Sequence, residues 1–441
     1  MKNLENNEQK VAPYAWYALG LLMFIYILNF LDRTIIYILF KPIKEEMSFS
    51  DLQLAILGPT AFVICYTLLG IPFGRLADQG RSRTKIIAIG VAVWSLFSGL
   101  TAYADGFWTL FACRLMVGVG EATLGPAAIS LLSDYFPPAR RATVTSIYSM
   151  GIAIGAGLAA LLGGQLAQYG WRTAFMIIGF PGIIFAVLVY FLREPERDKE
   201  LTSKFELPPP PPQFDQTDKS EINFENEIKN PENIKSAQPQ GLFSTPFILL
   251  CLGYALLGLA TNNLSIWGAT FYARLHKFDL ATIGFFGGIL TLAAGIPATL
   301  FGGVIADWFR QRSKGGRMIY GSILSLISVP FWLLLIYTDS IPLILLANGV
   351  LLFAALGWLG AAAADVTEIA GVNLRGLGIA IYFFSVNIAA YLIGSNLIGF
   401  LSDKFGATEN PAMMRYALLV CPIACLLSAV CLFAGSKTRR D

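Results

Sequence analysis

Charge is scarce in this chain. Only 14% of its 441 residues are Asp, Glu, Lys or Arg, there is a single histidine, and hydrophobic residues reach 55% with a mean hydropathy of +0.61. That balance excludes an ordinary soluble domain. The net charge of +3 is too small to hold a nucleic-acid backbone, so no nucleic-acid partner is expected. No G-x-x-x-x-G-K-[ST] sequence occurs, which excludes a P-loop site for ATP. Gly155-Ala156-Gly157 lies in an apolar run with no strand before it and is not a nucleotide loop. The six cysteines, Cys65, Cys113, Cys251, Cys421, Cys425 and Cys431, all fall within apolar runs, so disulfides and zinc sites are not expected and each is read as a small hydrophobe. No cofactor and no metal is called for, and the chain is not read as an enzyme. The lone His276 falls in a loop and is read as a surface residue. A short hydrophobic segment with a small-residue cleavage site is also missing: the polar stretch Met1 to Lys10 leads straight into a full-length apolar run, so no cleavable signal peptide is expected.

What the chain has instead is long apolar runs. Twelve approach the roughly 20 residues that cross a bilayer, at about 14–39, 53–75, 84–104, 107–133, 143–168, 172–192, 244–271, 280–305, 318–338, 342–364, 376–401 and 413–435. They are continuous rather than alternating, which excludes a transmembrane barrel. The fold class is therefore an all-α membrane protein with twelve transmembrane helices. Most of the 32 Lys and Arg crowd alternate loops, those that would share a side with the two termini. The positive-inside rule then puts both termini in the cytoplasm, and the expected location is the inner, or plasma, membrane. Between the sixth and seventh runs the composition turns polar and holds the proline run Pro208 to Pro212, which reads as an extended, disordered cytoplasmic linker. The expected organisation is a tail at 1–13, a six-helix bundle at 14–192, the linker at 193–243, a second six-helix bundle at 244–435 and a tail at 436–441. Glycine is frequent inside the helices, as at Gly151, Gly155, Gly157, Gly163 and Gly164 and again at Gly284, Gly287, Gly288 and Gly295, a spacing that permits close helix contact.

Charges inside the spans cost about 2.5–3.5 kcal/mol each on insertion scales and mark functional sites by default. Four stand out, all in the first half: Asp32 and Arg33 in the first span, Arg114 and Glu121 in the fourth. Arg114 and Glu121 are nearly two turns apart and share a helix face, whereas Asp32 and Arg33, adjacent in sequence, point about 100° apart. Cross-helix pairing follows, either Asp32 with Arg114 or Arg33 with Glu121. A proton-coupled carrier needs a titratable group whose charge is matched in one state and not in another, and with one loop histidine only carboxylates can serve: Asp32 and Glu121. The second half has no charge deep in a span, so its share of a substrate cavity would be apolar and aromatic, with Asn262, Asn263, Asn387 and Asn396 as hydrogen-bonding groups. Lopsided chemistry of this kind suits an amphipathic substrate with its polar head near Arg114.

One segment occurs twice. GRLADQGRSR, from Gly74 to Arg83, returns as GGVIADWFRQR, where Gly303, Ala306, Asp307, Arg310 and Arg312 stand for Gly74, Ala77, Asp78, Arg81 and Arg83. Each copy closes one apolar run and opens the next, as in a transporter built from two related bundles. The shared pattern G-x-x-A-D-x-x-R-x-R resembles the loop 2–3 signature of the major facilitator superfamily. LNFLDR in the first span, RLMVGVGEA in the fourth, LLSDYFPPARRAT after it, SIYSMG in the fifth and GWRTAF before the sixth together resemble its bacterial Spinster-like branch. Anion:cation symporters also carry a DR pair in the first span and a glutamate in the fourth.

The resemblance implies two six-helix bundles and proton-coupled transport of a lysophospholipid-like or sphingoid-phosphate-like amphiphile by alternating access. It implies Asp32 as proton site with Arg33 and Glu121 as its network, and Arg114 as a substrate or coupling cation. Asn29, from the LNFLDR segment, joins Asn262 and Asn387 as a substrate-binding candidate. Gly74, Asp78, Arg81 and Arg83, with Gly303, Asp307, Arg310 and Arg312, are expected to form a cytoplasmic latch, reaching Arg140, Arg141 or Arg375 when that gate closes. The fifth span has Gly155-Ala156-Gly157 where the superfamily's antiporter signature has Gly-Pro. The competing expectation is a proton-coupled symporter of a small organic anion such as a sugar acid; drug efflux and a non-transporting receptor are weaker ones. The expected partners are the substrate, protons and the lipid bilayer, with the chain acting as a monomer.

Overall fold

A computed structural model describes residues 12–78, 82–195, 241–371 and 374–439, apart from the side chains of Ile71, Ala77, Asp78, Pro138, Ala139, Ala142 and Arg375. Twelve helices among them are long and apolar enough to cross a membrane. In the first half these are α1 (Pro13–Ile38), α2 (Asp51–Leu76), α3 (Arg83–Tyr103), α4 (Phe107–Tyr135), α5 (Thr143–Tyr169) and α6 (Trp171–Tyr190). In the second they are α7 (Thr245–Leu275), α8 (Leu280–Arg312), α9 (Gly316–Tyr337), α10 (Ile341–Ala370), α11 (Gly376–Lys404) and α12 (Pro411–Thr438). Most of the expected linker, 196–240, lies outside the described residues, as does Arg81.

Local chemistry sets the helix ends. Pro13 opens α1 at a position where its missing N–H costs nothing. Ser50 starts α2 through a reciprocal capping box with Gln53, and the Asp279 carboxylate accepts from the Thr282 amide to start α8. Gly170, at φ 91°, turns the chain between α5 and α6. Both α2 and α11 contain a π-helical turn, at Ile56–Thr60 and Ile388–Gly394. Such turns free a backbone group for another partner, and here the Thr60 hydroxyl donates to the Tyr391 carbonyl at 2.9 Å, joining the two turns across the halves.

An even number of spans returns the chain to its starting side, so both described ends lie at one face, here called the terminal face, and the other is the distal face. The halves are packed unequally toward these two faces. Distally, Leu31, Ile35 and Phe40 of the first half belong to one continuous core with Leu257, Trp267 and Ile398 of the second. Toward the terminal face the first half keeps a core of its own, with Leu19, Val91, Leu131 and Val189. The long seam between halves is α5 against α8, and it is made by glycine. A Cβ on Gly284 would stand 2.2 Å from the Ala160 carbonyl oxygen, and one on Gly164 would stand 2.4 Å from that of Leu280. Gly284→Val is therefore expected to force the two helices apart and to lower the stability of the solubilised protein by about 1–3 kcal/mol. Thermal unfolding monitored by tryptophan fluorescence measures this. An unchanged melting temperature for Gly284→Val would mean that the seam is not tight.

Candidate functional site

The four intramembrane charges meet where α1 crosses α3 and α4. Arg33 donates through Nε and Nη2 to Glu121 Oε2 at 3.1 and 2.8 Å. Its guanidinium carbon stands 4.8, 4.4 and 4.6 Å from the ring centres of Phe30, Phe62 and Tyr66, an aromatic sleeve that suits a desolvated cation. Asp32, pointing elsewhere around α1, accepts from the Ser98 hydroxyl of α3 at 2.6 Å. Of the two pairings open to the sequence, the structure makes Arg33–Glu121. Asp32 has no cation at hydrogen-bond distance among the described residues.

Arg114 is fully buried, and none of its three guanidinium nitrogens has a hydrogen-bond partner among the described residues. Tyr37 Oη, Asn29 Nδ2 and Glu121 Oε1 are buried and unpaired in the same way. Tyr37, Glu121 and Asp32 lie within electrostatic reach of Arg114. Two carboxyl groups and two guanidiniums thus share the centre with incomplete hydrogen bonding, which is costly in a dry interior and typical of a site that changes partners.

Two cavities adjoin this centre. One, of about 660 Å3, is lined by Arg33, Tyr37 and Tyr391 together with Thr261, Asn262 and Ile266 of α7. Tyr391 donates to Asn262 Oδ1 at 2.8 Å, tying α7 to α11 in its wall. The other, of about 980 Å3, is almost wholly apolar, with Ile38, Ala156, Leu264, Phe286, Leu290 and Ile344 in its wall. Thr34, Ser265, Thr291 and Leu352 line both, so the two adjoin. Arg33, read from the sequence as a member of the proton network, is the guanidinium that lines the first of them. Arg114, expected to meet the substrate, lines neither cavity. Asn262 lines the polar part, whereas Asn29 and Asn387 line neither part.

A second charged centre closes the distal face. Asp51, at the start of α2 and fully buried, accepts from Arg274 Nη1 and Nη2 of α7 at 2.6 Å each, from Lys44 at 2.6 Å and from the Ser402 hydroxyl of α11 at 2.6 Å. In return Asp403 of α11 accepts from the backbone amides of Asp51 and Leu52 at 2.8 Å each, capping α2 from the other half. Lys44 also donates to Thr408 at 2.7 Å. Every hydrogen bond between halves among the described residues lies in this cluster or at Thr60, Tyr391 and Asn396. Of these residues only Asn396 was singled out in the sequence, as a hydrogen-bonding group of the second half.

At the terminal face each half binds its own charges. Arg83 reaches Asp134 and Glu194 within the first half. In the second, Arg310 pairs with Glu368, Asp307 with Arg317, and the buried Asp365 with Arg439 at 2.8 Å. The ungapped sequence repeat matches Arg83 to Arg312, but α8 continues as helix through Arg312, whose guanidinium lies over the Trp308 ring. The residue that stands at the start of α9 as Arg83 stands at the start of α3, and that reaches the acids of the tenth helix, is Arg317. Gly74 faces Pro126 of α4, with a Cβ position 3.7 Å away, and Gly303 has open space. The side chains of Asp78 and Arg375, and all of Arg81, lie outside the described residues.

Two helical halves that flank a cavity beside a buried charged centre, and whose hydrogen bonds to each other among the described residues lie in the distal cluster and at Thr60, Tyr391 and Asn396, define a membrane transporter rather than an enzyme. Residues 22–364 match the Major Facilitator Superfamily, and the chain belongs to that family. It is 26% identical to an MFS-type efflux pump of Mycolicibacterium smegmatis, over 97% of this chain and 94% of the relative. It is 25% identical to protein spinster homolog 1 of Xenopus tropicalis, over 91% of this chain and 76% of the relative. Among solved structures, a bacterial homolog of the human lysosomal transporter Spinster, crystallised in an inward-facing and occupied conformation, superposes with a TM-score of 0.79 at 24% identity, covering 98% of this chain and 99% of that one. The chain is thus a major facilitator transporter with twelve helices, similar to Spinster proteins, as its motifs led one to expect.

Proposed function

We propose that this transporter moves an amphiphile with an anionic head, of the lysophospholipid or sphingoid-phosphate type, by proton-coupled alternating access. The observation that carries the reading is a pair of adjoining cavities, one lined by Arg33 and Asn262 and the other a mostly apolar chamber. A guanidinium bonds phosphate or carboxylate bidentately, and the apolar end gives an alkyl chain a wall that asks for no hydrogen bonds. A sugar acid would use the first part and leave the second idle.

In this reading Asp32 carries the proton, because it alone of the two buried acids can change protonation without breaking an ion pair. Glu121 and Arg33 form the partner network. Arg114 answers the protonation state of Asp32 from within electrostatic reach, Asn29 lies next to Glu121, and Asn387 belongs to the hinge around the π-helical turn of α11. With both termini cytoplasmic in an inner membrane, the distal lock closes the outer gate and the described state is inward-open, a reading favoured by the likeness to a structure solved as inward-facing. The latch of Asp78, Arg81 and Arg83 with Asp307, Arg310 and Arg312 then belongs to the outward-open state, since Arg83 and Arg310 here keep to their own halves.

The test is uptake competition. In proteoliposomes with an imposed pH gradient, transport of a fluorescent lysophospholipid should be inhibited by unlabelled lysophospholipid and not by hexuronate or galactonate. Inhibition or accumulation by the sugar acids alone would transfer the assignment to the organic-anion symporter.

A further inference from the structure

We propose that the apolar chamber opens sideways into the bilayer through a slit between α8 and α10 near the distal face, and that a single alkyl chain of the amphiphile occupies it there. This rests on the reading of the substrate as an amphiphile.

The chamber is walled by α1, α5, α7, α8 and α10, and no charged side chain lines it. Three of the six polar side chains in its wall, Tyr272, Thr291 and Asn348, bond within the protein. Asn348 donates to the Tyr272 hydroxyl at 2.6 Å, and the Thr291 hydroxyl donates to the Gly287 carbonyl at 2.7 Å. A wall without charge and made mostly of aliphatic and aromatic side chains favours an apolar occupant. The adjoining polar cavity is different, because the Tyr37 hydroxyl there is buried and unpaired.

The rim shows where the chamber meets lipid. Phe286 of α8 and Ile341 of α10 both line it, yet they are 43% and 52% exposed. Each lies on a membrane-spanning helix, Phe286 about two turns from the distal start of α8 and Ile341 at the distal start of α10, which places the rim at the distal end of the span. Elsewhere these helices are sealed against other elements. Gly302 of α8 meets the backbone of Gly357 of α10 toward the terminal face, where a Cβ would stand 2.3 Å from the carbonyl oxygen, and Gly284 meets α5. Between the two seals Gly287 lines the chamber, and a Cβ there would meet nothing within 4 Å. The slit therefore has a floor that a larger side chain can fill without striking protein.

An amphiphile held this way keeps its head near Arg33 and passes its chain out through the slit, so the protein never encloses the whole hydrocarbon length. Chain length beyond the slit should then matter little to affinity, and the width of the slit should matter much.

A lysophospholipid carrying a diazirine near the end of its alkyl chain is the probe. Photolysis of the intact protein in liposomes should label peptides containing Phe286, Leu290 or Ile341, and Gly287→Trp should abolish that labelling and raise the apparent KM for the long-chain lysophospholipid roughly tenfold or more. The same substitution should leave the KM of a butyryl-chain analogue within about twofold. Gly287→Ala, which leaves the slit open, should behave as wild type, and a wild-type-like melting temperature for Gly287→Trp shows that it folds. Labelling confined to other helices, or labelling and KM unmoved by Gly287→Trp, overturns the slit while leaving lysophospholipid transport intact. Failure of wild type to transport any lysophospholipid overturns the substrate reading instead, and the cross-linked position still decides whether a chain enters between α8 and α10.

Discussion

Asp32→Asn is expected to fold and insert normally but to lose all proton-driven accumulation of substrate. One pH unit is worth about 1.36 kcal/mol per proton, so a carrier moving one proton per substrate concentrates it about a hundredfold across a two-unit gradient. The variant should instead equilibrate substrate to about equal concentrations. The local geometry argues for this residue and against Glu121 as the first to test. Ser98 gives Asp32 a hydrogen bond at 2.6 Å that an asparagine oxygen accepts equally well, so the fold around α1 and α3 should hold. Removing the Glu121 charge, by contrast, would leave Arg33 buried without its anion, a change that costs several kcal/mol and would blur any loss of coupling with loss of structure. Substrate exchange at equal pH on both sides should persist in Asp32→Asn, because Arg33 and Asn262 still line the polar cavity. Accumulation by the variant at the wild-type level, measured in proteoliposomes under the same gradient, would remove Asp32 from the coupling mechanism.

The twelve spans were legible because a bilayer imposes one length and one polarity on every crossing. Helix ends were less so. Helix α8 runs to Arg312 and α10 to Ala370, because charged residues in a last turn outside hydrocarbon are ordinary helix formers that hydropathy counts as loop. That extension also hid the correct partner of Arg83, since an ungapped repeat cannot reveal that Arg317 begins the ninth helix. In the central site, adjacency in α1 and the seven-residue spacing in α4 told which residues must look for cross-helix partners. They did not tell which pair forms, since that depends on how α1 is rotated against α3 and α4. The distal cluster was invisible for a different reason. Lys44, Asp51, Arg274 and Asp403 are each unremarkable at a helix end, and only the approach of α2, α7 and α11 gives them to one another. The exposure of Phe286 and Ile341 is a property of a gap between helices, for which a single sequence carries no signal.

Asp51→Asn is expected to release the distal face. Its carboxylate takes four donor contacts, from Arg274 twice, Lys44 and Ser402, and it is fully buried. A neutral amide leaves Arg274 and Lys44 facing each other without an anion. Breaking a buried pair by removing one partner costs about 3–5 kcal/mol, and here the cost falls on one conformation only. Arg274 belongs to the second half and Asp51 to the first, so opening the distal face separates them and returns both to water. A differential of that size moves a two-state population by a factor of about 10² to several times 10³. Asp403→Asn removes only the charge that caps two amides of α2 and should shift the balance less, by about 1.5–3 kcal/mol. Spin labels at the exposed positions Glu45 and Lys404, on a background with the six cysteines replaced, report the separation of the halves at this face. The wild type should give one short distance, Asp51→Asn a dominant longer one, and Asp403→Asn a mixture. The double variant Asp51→Asn with Arg274→Gln, which removes the stranded guanidinium as well, should recover part of the short-distance population. An unchanged distance in a well-folded Asp51→Asn protein would mean that packing of Phe40 against Trp267, 5.6 Å between ring centres, holds the face shut and that the charges only decorate it.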